Sequence, residues 1–256
     1  MLNPGKAALY RFLVGVGKLA YGGMYLSGSV GVFWFVTCLF LTQQLFNAVT
    51  VRIQSGRKIF FLSLFLYILA MANEYVPSHF IFPWNINVVL CSFLFYALGS
   101  LWGDQFFKKH SIWQLVPAVL VTVISLIFLR FNYSIAFRMK WSYYGWVLFS
   151  PIAALAIIKI VGFCAHIITK QKTLAAFAAF AGKASMTIMF THLFFHRTFF
   201  NASHRYPWVL SFVIFFICSL LHYLFSKNNI LKAILLGDRE AFSLLAKKWS
   251  RNEQRV

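Results

Sequence analysis

Ser185, His192 and His196 follow one another at steps of seven and four residues within the stretch GKASMTIMFTHLFFHR, Gly182–Arg197. On a helix those steps fall on one face, so a hydroxyl and two imidazoles share a stripe in a segment otherwise apolar enough to enter a membrane. A His-x3-His pair is half of a metal site. No third ligand stands out and acidic partners are scarce, so no metal is expected. Histidine acting as an acid, a base or a donor in a cavity fits better. The alternative is a pair of hydrogen-bonded packing histidines. Thr187, Thr191 and Thr198 form a second stripe at the same steps. One side of this segment is therefore polar along its length and should face a bundle interior.

An ionisable group costs about 2.5–3.5 kcal/mol at the centre of a membrane helix, so each needs a partner, a cavity or a function. Besides the two histidines and Arg197, the candidates are Glu74, Arg130, Lys159, His166 and His222. Glu74, in MANEYVPSHF near His79, reads either as a base or substrate partner, or as one half of a structural ion pair. Lys159, in LAIIKIVGF, reads as a side chain snorkelling toward a membrane surface. Arg130 and Arg197 fall near the ends of apolar runs, where snorkelling also suffices.

Composition dictates the elements that must hold these groups. The 256 residues are 61% hydrophobic and only 11% charged, against about 25% charged in ordinary soluble domains, and mean hydropathy is +0.73. The expected fold is all-α, a polytopic transmembrane helix bundle of 7–8 spans with an amphipathic C-terminal tail helix. Apolar runs near 29–50, 59–75, 86–103, 114–130, 145–167, 184–200 and 207–226 are long enough or nearly so. A weaker run, 8–27, contains Arg11, Lys18 and several glycines. It is either a span packed inside the bundle or a helix at the interface. No internal repeat is visible, so residues 1–228 read as one transmembrane domain and 229–256 as a basic cytoplasmic tail.

The net charge of +19 is spread over segment ends rather than clustered. It argues for anionic lipid headgroups as partner, not nucleic acid. With the C-terminus cytoplasmic, the loops near 51–58, 104–113 and 168–183 and the tail place fifteen Lys and Arg inside, against five outside. That bias sets the orientation, although the outer stretch 130–144 is unusually basic. Thr173–Gly182 and the tail around Phe242, Leu245, Ala246 and Trp249 read as helices on the inner surface. Cys38, Cys91, Cys164 and Cys218 lack paired spacing and read as packing residues. The Met1 region lacks the pattern of a signal peptide.

The ordered motifs also carry a resemblance. GKASMTIMFTH (Gly182, Ser185, Ile188, Phe190, His192), GVFWFVTCLFLTQQLF (Trp34, Phe35, Leu39, Phe40) and FLFYALGSLWGDQF (Tyr96, Gly99) resemble spans of the acyltransferase family 3 membrane proteins. The order and spacing agree over most of the chain. The resemblance implies a multi-span enzyme of a bacterial inner membrane. It would move an acyl group, often acetyl from acetyl-CoA, onto a surface or lipid-linked sugar. His192 matches a motif position that is not the family's base, so the resemblance carries it over as a site-lining residue; the residues themselves offer His192, His196 and Glu74 as catalytic or site-lining candidates and Ser185, Arg197, Arg130 and Trp34 as substrate-binding ones. The family pattern opens with an Asp-x-x-Arg motif and a downstream His, yet no Asp precedes Asp104 and no His precedes His79. The resemblance therefore implies a chain that starts partway into the pattern, active with a partner that supplies the missing spans or else inactive. Two other readings stay open: a glycan or lipid transporter or flippase component, and a non-catalytic remnant.

Overall fold

A computed structural model describes residues 4–76, 82–108, 112–131, 137–199 and 206–253. His79, Arg205 and Arg255 lie outside the described residues. The chain is an all-α, polytopic membrane-helix bundle. Its helices are α1 (Pro4–Tyr21), α2 (Phe33–Arg52), α3 (Gly56–Glu74), α4 (Ile86–Lys108) and α5 (Ile112–Arg130). There follow α6 (Phe149–Thr169), α7 (Lys172–Thr198), α8 (Pro207–Lys227), α9 (Asn229–Leu236) and α10 (Arg239–Glu253). Seven, α2 to α8, are long and apolar enough to cross a membrane, and they coincide with the seven expected runs. The weak eighth run is helical as α1, but only Phe12–Tyr21 is apolar and it is too short to count with the others.

Contacts group the chain into two compact units: residues 1–27 with 33–171, and residues 28–32 with 172–256. In the first unit α4 packs against both α2 and α3. It can do so because its inward residues are small or flat. Cys91, Phe93 and Ala97 are fully buried, and so is Ala70 on α3. Small residues let membrane helices approach closely, where dispersion contacts must replace the hydrophobic drive of water. α5 pairs with α6.

In the second unit α7 pairs with α8, and Leu210, Ile214 and Cys218 pack on Ile188 and Phe195. α7 corrects one expectation. Thr173–Gly182 is not a separate surface helix; it is the first part of an unbroken 27-residue helix. A single glycine without a proline does not break a membrane helix, and Gly182 stays in register. Beyond α8, Asn228 caps α9 by accepting from the Ile230 and Leu231 amides, and Gly237, at φ 65, ends it. Asp238 then caps α10 by accepting from the Ala241 amide at 2.8 Å, as side-chain oxygens do at helix starts.

Candidate functional site

The stripe on α7 lines one groove. Ser185, His192 and His196, with Ala181, Ile188 and Met189, face Ser211, Ile214 and Phe215 of α8 around a cavity of about 560 Å³. From Ala181 to His196 the groove follows α7 for about 22 Å at about 1.5 Å per residue. Its polar groups are thus distributed along much of a membrane span. Ser211 has no counterpart in the sequence reading. It comes from α8, and helical spacing within one segment cannot reveal what a neighbour contributes.

His192 is half-buried, and its Nδ1 lies 3.0 Å from the Ile188 carbonyl and 2.8 Å from that of Met189. Carbonyl oxygens only accept, so Nδ1 carries the hydrogen and donates it. The neutral ring then has its lone pair on Nε2, the form a general base requires. A backbone carbonyl that fixes the tautomer from behind is a common orienting device for histidine. Ser185 and His196 are exposed along the same groove.

The threonine stripe does something else. Thr191 donates to the Thr187 carbonyl at 2.7 Å and Thr198 to the Phe194 carbonyl at 3.0 Å. Both spend their hydroxyls within their own helix. Thr187 is buried and shares a 3.0 Å hydrogen bond with Nδ1 of His222 on α8. Phe180 lies edge-on to the His222 ring, with centroids 6.0 Å apart. His222 is therefore a packing histidine that locks α7 to α8.

The remaining candidates do not gather at this groove. Arg197 lies at the end of α7 against Gly28, whose φ is 72. A Cβ there would sit 2.5 Å from the guanidinium and force it to shift, and the positive φ itself favours glycine. Glu74, Arg130 and Trp34 belong to the other unit. Arg130 is exposed at the end of α5. Trp34 lines a narrow cavity of about 230 Å³ with Cys38, Thr42, Ser92 and Tyr96, where Cys38 and Ser92 are within 3.4 Å.

Glu74 is engaged with the backbone. Its Oε2 accepts from the Tyr144 amide at 2.9 Å, inside a lattice that ties together three separate loops. Asn85 accepts from the Met24 amide at 2.9 Å and donates to the Lys140 carbonyl at 3.3 Å. The Lys140 ammonium donates to the Leu26 carbonyl at 2.7 Å. Asn87 donates to Ser142, and Trp84 Nε1 to the Ala20 carbonyl at 2.8 Å. Trp84, Asn85 and Ser142 all take left-handed backbone, with φ 55 to 56. Gly23, at φ 61, abuts Asn85 so closely that a Cβ would overlap its side chain. Burial lowers the Lys140 ammonium below its ordinary value and raises the Tyr144 phenol above its own. Part of the basic excess of 130–144 is thereby explained: Lys140 is a structural clamp.

Lys159 is 7% exposed. It donates to the Phe106 carbonyl and lies 4.8 Å from the centroid of the Phe106 ring. Phe106 is in the last turn of α4, where carbonyls lack helical partners and the helix dipole favours a cation. The four cysteines are free thiols, with Cys164 exposed and the others buried. Among the described residues, no three His, Cys, Asp or Glu side chains gather where a cation could be held.

Fold and site together define a polytopic membrane protein with a histidine- and serine-lined groove between two of its spans. No family model, curated protein or solved structure matches the chain.

Proposed function

We propose that the protein is a membrane-embedded O-acyltransferase of the acyltransferase family 3 type, moving an acyl group from acetyl-CoA or another acyl-CoA to a sugar hydroxyl. The observation that carries this reading is the groove along α7. It sets Ser185, His192, His196 and Ser211 around one cavity and leaves the His192 Nε2 as the basic nitrogen. In this reading Nε2 takes the proton from the sugar hydroxyl. The hydroxyl oxygen bonds to the thioester carbonyl carbon, the C–S bond breaks, and the departing thiolate recovers the proton from the imidazolium. Ser185 donates to the carbonyl oxygen as it gains charge, while Ser211, whose hydroxyl donates to the Pro207 carbonyl at 2.8 Å, only borders the pocket. Glu74 takes no part, since its carboxylate holds the Tyr144 amide.

The positive-inside bias favours a cytoplasmic C-terminus in a bacterial inner membrane. α9 and α10 expose Ile234, Leu235, Phe242 and Leu244 beside basic residues, as suits a tail lying on anionic headgroups.

The test is transfer of labelled acetyl from acetyl-CoA to surface or lipid-linked glycan in membranes carrying the protein. Label should appear, and His192→Ala should lower its rate by about 100-fold. Label that persists undiminished in His192→Ala would overturn the assignment of the base. Movement of glycolipid across proteoliposomes with no acyl donor, and no labelling, would replace the enzyme with a transporter.

A further inference from the structure

The largest cavity among those described lies in the first unit and shares no residue with the histidine groove. It measures about 630 Å³ and is bounded by α4, α5 and α6, a size usual for small-molecule sites. α4 ends at Lys108 and α5 begins at Ile112, so Trp102, Gln105, Trp113 and Gln114 lie toward one mouth. Val121, later on α5, and Ile152, early on α6, form an apolar floor. Lys159 also borders the cavity, with its ammonium bonded to the Phe106 carbonyl and lying against the Phe106 ring. Its work there is structural.

α5 carries Pro117 inside the helix. A proline has no N–H, and the bond lost in a helix is the one to the carbonyl four residues back. Here that carbonyl belongs to Trp113, and both Trp113 and Pro117 line the cavity. In lipid a freed backbone group must find another partner. The cavity therefore offers a main-chain acceptor beside the side-chain amides of Gln105 and Gln114, which both donate and accept. A head that answers all three must itself donate as well as accept, and it needs no charge to do so. Hydroxyl groups meet that condition. A carboxylate or a methyl ester only accepts. The floor suits a hydrocarbon chain, and the Trp102 and Trp113 indoles suit the level between chain and head.

We propose that this cavity binds a single-chain lipid with an uncharged hydroxylic head, of the monoacylglycerol class. Its chain lies on Val121 and Ile152. One head hydroxyl donates to the Trp113 carbonyl, and the other bonds the amides of Gln105 and Gln114. The site stands whether or not the histidine groove transfers acyl groups.

Photolabelling of the full chain in phosphatidylcholine nanodiscs tests it. The probe is a monoacylglycerol with a diazirine in its chain, and labelled residues are mapped by mass spectrometry. Saturable labelling of α5 and α6 around Val121 and Ile152 is expected. Unlabelled monoacylglycerol should compete about tenfold better than the fatty carboxylate or methyl ester of the same chain, and free glycerol should not compete. Pro117→Ala supplies an N–H to the Trp113 carbonyl and so removes the acceptor. It should weaken labelling about fivefold in a helix that forms at least as well. Val121→Trp fills the floor and should weaken labelling about tenfold. Competition in the wild-type chain decides the matter if a variant does not fold. A carboxylate or methyl ester that competes as well as the monoacylglycerol would overturn the proposal. Competition by glycerol, or labelling undiminished in Val121→Trp, would do the same.

Discussion

The loop lattice of the first unit and the histidine groove of the second solve the same problem in opposite ways. Both place polar side chains in a chain that is mostly apolar. In the lattice, Asn85, Glu74, Lys140 and Trp84 each bond a main-chain group from a distant part of the sequence. In the groove, His192 bonds only its own helix, Ser211 donates to the Pro207 carbonyl of its own helix, and both line a cavity with Ser185 and His196. A buried polar group bonded to backbone is structural. A polar group oriented from behind and open in front is arranged for a ligand. The difference teaches that rarity of a charge in a membrane sequence does not by itself mark a site. Glu74 and His192 are both scarce types in costly places; His192 lines a cavity, and Glu74 holds the Tyr144 amide.

Breaking the lattice should produce the largest change in stability. Asn85→Leu removes two hydrogen bonds and places a bulky residue at φ 56. The expected loss is about 3 kcal/mol, read as lowered resistance to chemical unfolding in micelles, with faster proteolysis near residues 22–30. Glu74→Ala strands the Tyr144 amide and should cost about 2 kcal/mol. Were Glu74 catalytic instead, transfer would vanish with unfolding unchanged. Thr187→Val removes the bond to His222 and should cost about 1 kcal/mol, without altering transfer at saturating substrate. His192→Asn sharpens the contrast from the other side. Unfolding should move by no more than about 0.5 kcal/mol while transfer falls by about two orders of magnitude.

The smallest effect concerns Asp238. The Ala241 amide, then Lys232, hold its carboxyl below the ordinary 3.8. A lowered value means the cap is fully present above pH 3.8 and is lost as pH falls through the lowered value. Hydrogen exchange at the Ala241 amide should therefore speed up under acid beyond its intrinsic pH dependence. Asp238→Asn should remove that extra dependence.

What could be read from the sequence follows from the range of each signal. The seven spans are properties of single segments, so length and hydropathy suffice. The stripe of Ser185, His192 and His196 is likewise local, set by the helical period. The lattice is not local. Its bonds join residues 55 to 114 positions apart, and no periodicity links MY, WNIN and KWSYY. The bond from the Tyr144 amide to Glu74 could not come from counting charges. A carboxylate can equally be held by a backbone amide that has no letter of its own. Lys159 stood out as a costly charge, yet its bond to a helix end required knowing which helix ends there. Ser211 shows the same limit within the groove.

The length of α7 has a consequence of its own. Lys183 and Arg197 stand fourteen residues apart on it, and both are exposed. That interval is about 21 Å long, whereas the hydrocarbon of a typical bilayer is about 30 Å thick. The two cations cannot both reach water without adjustment, so α7 carries a built-in hydrophobic mismatch. Thinning the bilayer or stretching the two cations toward the surfaces relieves it, and each carries a modest cost per ångström. The groove therefore sits where lipid chain length acts on the protein. Short-chain bilayers should relax this helix, and long-chain bilayers should strain it.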